Sequence, residues 1–189
     1  MKKKLKGRPS IGIFGLAGVV FFAVCWIIAA AGDPGWVLGE NMISDLGASG
    51  LDTEVVFNIG CIMGGMLVMV SGIGMTTIKN EKIYFATGII TALAGAFLTM
   101  IGLFPEDVGD AHVIFAVLVF AALLVGMIVT IVGDMVYGKK IYFGIGVVLV
   151  VLIVFIALTQ TFEFLEAAVA ILGLVWLSLH SVKLSMIKQ

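Results

Sequence analysis

The chain has 189 residues, 61% of them hydrophobic and only 12% charged, with a formal net charge of −1. Soluble domains carry ~45–50% apolar and ~25% charged residues, so these proportions exclude water as the main solvent. The near balance of charge gives no reason to invoke nucleic acid as a partner, and membrane lipids are the expected surroundings.

A bilayer core about 30 Å thick is crossed by roughly 20 apolar residues in a helix. Six runs of that kind occur, at 11–31, 54–78, 83–103, 111–133, 141–159 and 162–182. They are apolar all round, whereas the strands of a transmembrane barrel alternate, so helices are expected. The predicted fold is an all-α membrane protein, a six-transmembrane-helix bundle forming one polytopic domain over residues 1–189.

The first run follows a basic start (Lys2, Lys3, Lys4, Lys6, Arg8) and ends in Ala29-Ala30-Ala31, which imitates a cleaved signal peptide. Its length exceeds the 7–15 residues of an ordinary h-region, and it is read as a retained first helix. The longest connection, 32–53, follows. It contains Asp33-Pro34-Gly35-Trp36 and a polar segment, Asn41 through Gly47, expected to form a short interfacial helix. The second helix carries Asn58 about one turn from its start. Gly60, Gly64, Gly72 and Thr76 then form a smooth stripe at four-residue spacing, and Gly88, Ala92 and Ala96 repeat the device on the third helix, both read as packing surfaces. Cys25 and Cys61 fall at similar depth and read as small apolar packing residues. The connection at 104–110 reads Phe104-Pro105-Glu106-Asp107-Val108-Gly109-Asp110, with His112 just inside the fourth helix. Lys82-Ile83-Tyr84-Phe85 recurs as Lys140-Ile141-Tyr142-Phe143, an echo that duplication and convergent interface anchoring would both produce. The last helix opens with Glu163 and Glu166, and His180 near its far end is expected to reach the interface.

Cytoplasmic segments of membrane proteins carry the excess of Lys and Arg. All eleven basic residues fall on the tail, the connections at Lys79 and Lys82 and at Lys139 and Lys140, and the C-terminal end with Lys183 and Lys188. Ten of the twelve acids lie on the opposite side, with only Glu81 and Asp134 among the lysines. All three tyrosines, Tyr84, Tyr137 and Tyr142, sit where an interfacial belt is expected on the basic side. The expected topology is multi-pass with both termini cytoplasmic.

The helix centres hold no Asp, Glu, Lys, Arg or His, which counts against a proton-coupled transporter or pump. Polar candidates gather on the acidic, outer side: Ser44, Asp45, Asn58, Glu106, His112 and Glu166. Asp52, Glu54, Asp110 and Glu163 stand near starts of the even-numbered helices and read as helix caps and dipole partners. Asp33, Glu40 and Asp107 read as solvated loop charges. Asp45, Asn58, Glu106, His112 and Glu166 resist that reading, because no Lys or Arg is available on that side and an unpaired buried carboxylate costs several kcal/mol. They form a hydrogen-bonded cluster pinning the helix ends, share a proton, or bind a cation. A divalent metal held by His112, Asp45 and Glu166 is one form of the last option, although zinc sites usually offer more nitrogen or sulfur ligands.

The segments Ile43-Ser44-Asp45-Leu46-Gly47, Phe57-Asn58, Gly102-Leu103-Phe104-Pro105-Glu106, the helix-start His112, and Glu166 ten residues ahead of Trp176 resemble a prokaryotic six-helix membrane family known as domain of unknown function 998. The resemblance spans the chain from the first helix to the sixth, and implies the fold and a place in the cytoplasmic membrane without naming a substrate. Members commonly show Gly-x-x-Glu-Arg at the start of the last helix. Here Glu163 and Ala167 take the Gly and Arg places, so a salt bridge or anion contact by that Arg has no counterpart. A more distant likeness is to membrane hydrolases of the alkaline ceramidase type, which combine Ser, Asp and His near one face. Those hold zinc through three histidines, and this chain has two.

Three functions stay open. The first is binding of a lipid or amphiphile headgroup, or a cation, between helices by Asp45, Asn58, Glu106, His112 and Glu166. The second is a membrane-embedded, metal-assisted or metal-free hydrolase using His112 as base or ligand, Asp45, Glu106 or Glu166 in support, and Ser44 as the one serine near the cluster. The third is a channel or facilitator.

Overall fold

A computed structural model describes residues 9–78 and 82–186. The basic tail, Lys79, Glu81 and Lys188 lie outside the described residues. Six helices follow in order: α1 (Pro9–Gly32), α2 (Thr53–Thr76), α3 (Lys82–Leu103), α4 (Asp110–Val136), α5 (Lys140–Thr159) and α6 (Phe162–Ser185). All six are long and apolar enough to cross a membrane. Most run a little beyond the apolar stretches that announced them, α4 to Val136 and α6 to Ser185. Backbone groups have no water to bond within hydrocarbon, so a helix continues until polar surroundings can take over.

The helices close into a ring in which each packs on the next and α6 returns to α1; α4 and α6 also touch, which leaves α5 outside them. Short connections force neighbours to run antiparallel, so one end of the ring collects the acidic connections and the other the lysines. We call these the acidic and basic ends. The core is stacked in three levels. Phe22, Trp26, Ile43, Leu46, Phe57 and Ala167 fill the acidic end, Leu123, Met127, Leu149 and Trp176 the middle, and Ile11, Met75, Tyr84 and Leu184 the basic end.

The glycine stripe of α2 does not serve one neighbour. Gly60 and Gly64 lie against Cys25 and Phe22 of α1, while Gly72 meets Gly88 and Ala92 of α3. Four-residue steps advance 40° beyond a full turn, so from position 60 to 72 the stripe swings by about 120° and passes from one helix to the other. Glycine also brings the two backbones together between these points. A Cβ on Gly65 would stand 2.6 Å from the Gly95 carbonyl, so α2 and α3 meet backbone to backbone there.

Several side chains at the basic end depart from expectation. His180 does not reach the interface: it is 4% exposed, stacks on Trp176 and places Nε2 3.1 Å from the Met75 sulfur. Tyr84 is buried and stacks on Tyr137 instead of serving as an interfacial anchor. Lys183 turns inward to donate to Asp134 Oδ1 at 2.6 Å, with its ammonium 5.4 Å from the centre of the Tyr142 ring. Both members of this pair are buried, since each charge neutralises the other where water is scarce. At the helix starts, Thr161 accepts from the Phe164 N–H and caps α6, whereas Asp52 makes no such bond and Glu54 accepts from Gly50 instead. Glu54, Asp110 and Glu163 remain within first turns, where they complement the helix dipoles.

Candidate functional site

The middle of the connection between α1 and α2 does not lie on the surface. It folds back into the ring as a plug, with Ile43 4% and Leu46 1% exposed. A buried loop must satisfy its own backbone, and here side chains do so. Trp36 Nε1 donates to the Met42 carbonyl at 2.7 Å, and the Met42 N–H donates to Asp45 Oδ2 at 3.1 Å. From α6, Glu166 Oε2 accepts from the Ile43 N–H at 2.9 Å; from α2, Asn58 Nδ2 donates to the Gly47 carbonyl at 2.9 Å. The expected interfacial helix is thereby reduced to one 3₁₀ turn, Ser44–Gly47. Carboxylate and amide groups take over backbone bonds that a longer helix would have made itself.

The connection between α3 and α4 closes the other side of the plug. After a 3₁₀ turn at Glu106–Val108, Gly109 adopts φ 79°, a left-handed conformation that L side chains rarely take, and sends the chain into α4. His112 follows, 4% exposed, with Nδ1 2.9 Å from the Phe104 carbonyl. A carbonyl only accepts, so Nδ1 carries a proton, and Nε2 is an acceptor whenever the ring holds that proton alone. The hydrolase expectation placed a carboxylate against this ring; a backbone carbonyl stands there instead.

Two spaces meet at the plug. Beneath it, a cavity of about 90 Å³ opens among α1, α2, α3, α4 and α6, headed by Ser44, His112 and Glu166 and walled below by apolar side chains. On α4 the lining runs from His112 to Leu123 and on α6 from Glu166 to Leu177, eleven steps along each helix, or about 16 Å. Above the plug, an open basin of about 390 Å³ is lined by Asp33, Trp36, Asp45, Glu106 and Asp107, among others. Glu106 stands where the two approach, near Asp45, Ser44 and His112. Burial, reinforced by the Asp45 carboxyl beside it, holds Glu106 above the ordinary carboxylate range; the Ser44 hydroxyl and His112 act in the opposite direction.

The structure brings all six expected residues to the acidic end but divides their work. Asn58, Glu166 and Asp45 each hold the plug through one polar atom. Ser44 and His112 face the cavity, and Glu106 faces the basin. Glu106 Oε2 and Asn58 Oδ1 are buried without hydrogen-bond partners. Among the described residues no three of His, Cys, Asp and Glu converge to hold a metal ion, so His112, Asp45 and Glu166 do not form one coordination sphere.

Sequence reasoning missed a second polar cluster, at the basic end. A cavity of about 20 Å³, room for one water-sized group, is lined by Asp134, Tyr142, Trp176, His180 and Lys183 among others. Trp176 Nε1 and His180 Nδ1 are buried there without partners. The signal was present: positions 176, 180 and 183 fall on one face of α6 at helical spacing.

The family model described as protein of unknown function (DUF998) matches residues 16–183, and the chain belongs to that family. No curated protein and no solved structure matches it.

Proposed function

We propose that this member of the DUF998 family lies in the cytoplasmic membrane of a prokaryote with both termini inside, and that its outward, acidic end binds an amphiphile between the helices. The basic residues support the orientation: Lys82 and Lys140 open α3 and α5, Lys139 precedes α5 and Lys183 lies in the last turn of α6, all at the basic end, and in the sequence the others fall in the tails and the connection between α2 and α3. One observation carries the binding reading: an apolar cavity lined along about 16 Å of α4 and α6 is headed by polar groups and walled by apolar side chains as far as Leu123 and Leu177. An apolar chain descends into such a space while the polar group stays at Ser44, His112 and Glu166. Burial of each methylene contributes about 0.8 kcal/mol, so a chain of several carbons binds firmly.

Native mass spectrometry of protein purified in mild detergent tests this reading. The wild type should carry a co-purified amphiphile, and Ala170→Phe, which fills the cavity wall, should lose it. Val154→Phe, on the exposed face of α5, should keep it. Adducts that survive Ala170→Phe refute the cavity as the binding place.

A second reading, a membrane hydrolase, is favoured by one feature. Ser44 and His112 line the same cavity, and the Phe104 carbonyl fixes the His112 tautomer that can act as a base. Ester-linked amphiphiles should then be cleaved by the wild type, and not by His112→Ala or Ser44→Ala.

A further inference from the structure

The polar atoms left over at the acidic end have a common character. Glu106 Oε2 and Asn58 Oδ1 are buried without partners; an amide oxygen only accepts hydrogen bonds, as does the Glu106 carboxylate when ionised. His112, 4% exposed, spends its Nδ1 proton on Phe104, and no described residue bonds Nε2, an acceptor when the ring carries that one proton. The indole N–H of Trp36 is already given to Met42. No Lys or Arg occurs in the acidic connections, while Asp33, Asp45, Glu106 and Asp107 surround the basin. A phosphate or carboxylate headgroup brings more acceptors and negative charge to a place already full of both. An ammonium group brings only donors, three of them when primary.

The geometry points to an amine-headed amphiphile as the ligand: its ammonium group sits beside His112 and Glu106 at the head of the cavity, and its apolar chain runs down the cavity toward Leu123 and Leu177. This inference rests on the amphiphile reading above and adds the chemistry of the head. Trp36 lines the basin and adds the attraction of an aromatic ring for a cation. An organic cation also suits carboxylates that are near one another without converging in the manner a metal requires.

Isothermal titration of the purified full chain in a neutral detergent, with dodecylamine, dodecanol and dodecanoate as probes, separates head from tail. Dodecylamine should bind at least about tenfold more tightly than dodecanoate, as charge-assisted hydrogen bonds to carboxylate require. Glu106→Gln should weaken dodecylamine about tenfold and leave dodecanol unchanged, which also shows that the variant is folded. Dodecanoate binding as tightly as the amine, or an amine affinity indifferent to Glu106→Gln, overturns the headgroup assignment and leaves the cavity reading standing. Failure of all three probes to bind overturns both.

Discussion

Removing one partner of the Asp134–Lys183 pair should destabilise the protein far more than removing both. The two side chains are 5% and 7% exposed and meet at 2.6 Å. Asp134→Leu leaves the Lys183 ammonium inside the bundle beside the Tyr142 ring and without its carboxylate, and an uncompensated buried charge costs about 3–5 kcal/mol. Lys183→Met strands the carboxylate at a similar cost. The double variant, Asp134→Leu with Lys183→Met, replaces the pair by apolar groups of comparable size and should return to within about 1 kcal/mol of the wild type, or exceed it. The residual attraction to Tyr142 is worth about 0.5–2 kcal/mol, too little to rescue the single Asp134 variant. Reversible unfolding of all four proteins in mixed micelles closes the cycle. If Asp134→Leu costs less than about 1 kcal/mol, Lys183 reaches water unaided and the pair is not the buried clamp between α4 and α6 described above.

Further outcomes follow from the same structure. Gly65→Leu drives side-chain atoms into the Gly95 carbonyl and should cost about 1–3 kcal/mol or more, whereas Gly144→Ala, which meets only open space, should be neutral or gain a few tenths; thermal unfolding of both checks it. Because Glu106 is held above the ordinary carboxylate range, the folded chain binds more protons than the unfolded one between those values, and stability should fall as pH rises through that window. Glu106→Gln, facing the unaltered Asp45, Ser44, His112 and Glu166, should flatten that slope, and a wild-type stability that rises relative to the variant would contradict the assignment. Cysteine placed at Lys139 should react with a membrane-impermeant maleimide only after lysis, and cysteine placed at Val37 should react in intact cells.

The sequence revealed those parts of the fold that depend on solvent. Continuous apolar runs marked the six helices because hydrocarbon allows few alternatives, and their ends lay within a few residues of the observed ones. The plug was not legible. Its two anchors, Ile43 and Leu46, are isolated apolar residues in a polar segment, and only the ring formed by distant helices gives them a place to bury. The Asp134–Lys183 pair was hidden for the same reason, since its partners are 49 residues apart and each alone resembles an interfacial charge. The candidate residues of the acidic end were identifiable as a group because no basic partner exists near them. Their division into plug fasteners and cavity-facing groups depended on which oxygen met which N–H, a fact of packing with no trace in local sequence.

The bond between Ile43 and Glu166 spans 123 residues, and this has a consequence for biogenesis. At 5–20 residues per second of synthesis, the N–H of Ile43 waits roughly 6–25 s after translation before its acceptor emerges from the ribosome. During that interval α1 also lacks α6, its second neighbour in the ring. The ring therefore stays open until α6 is made, and a nascent chain interrupted before the sixth helix presents an unsealed bundle, which gives membrane quality control a chemical mark by which to tell the unfinished protein from the finished one.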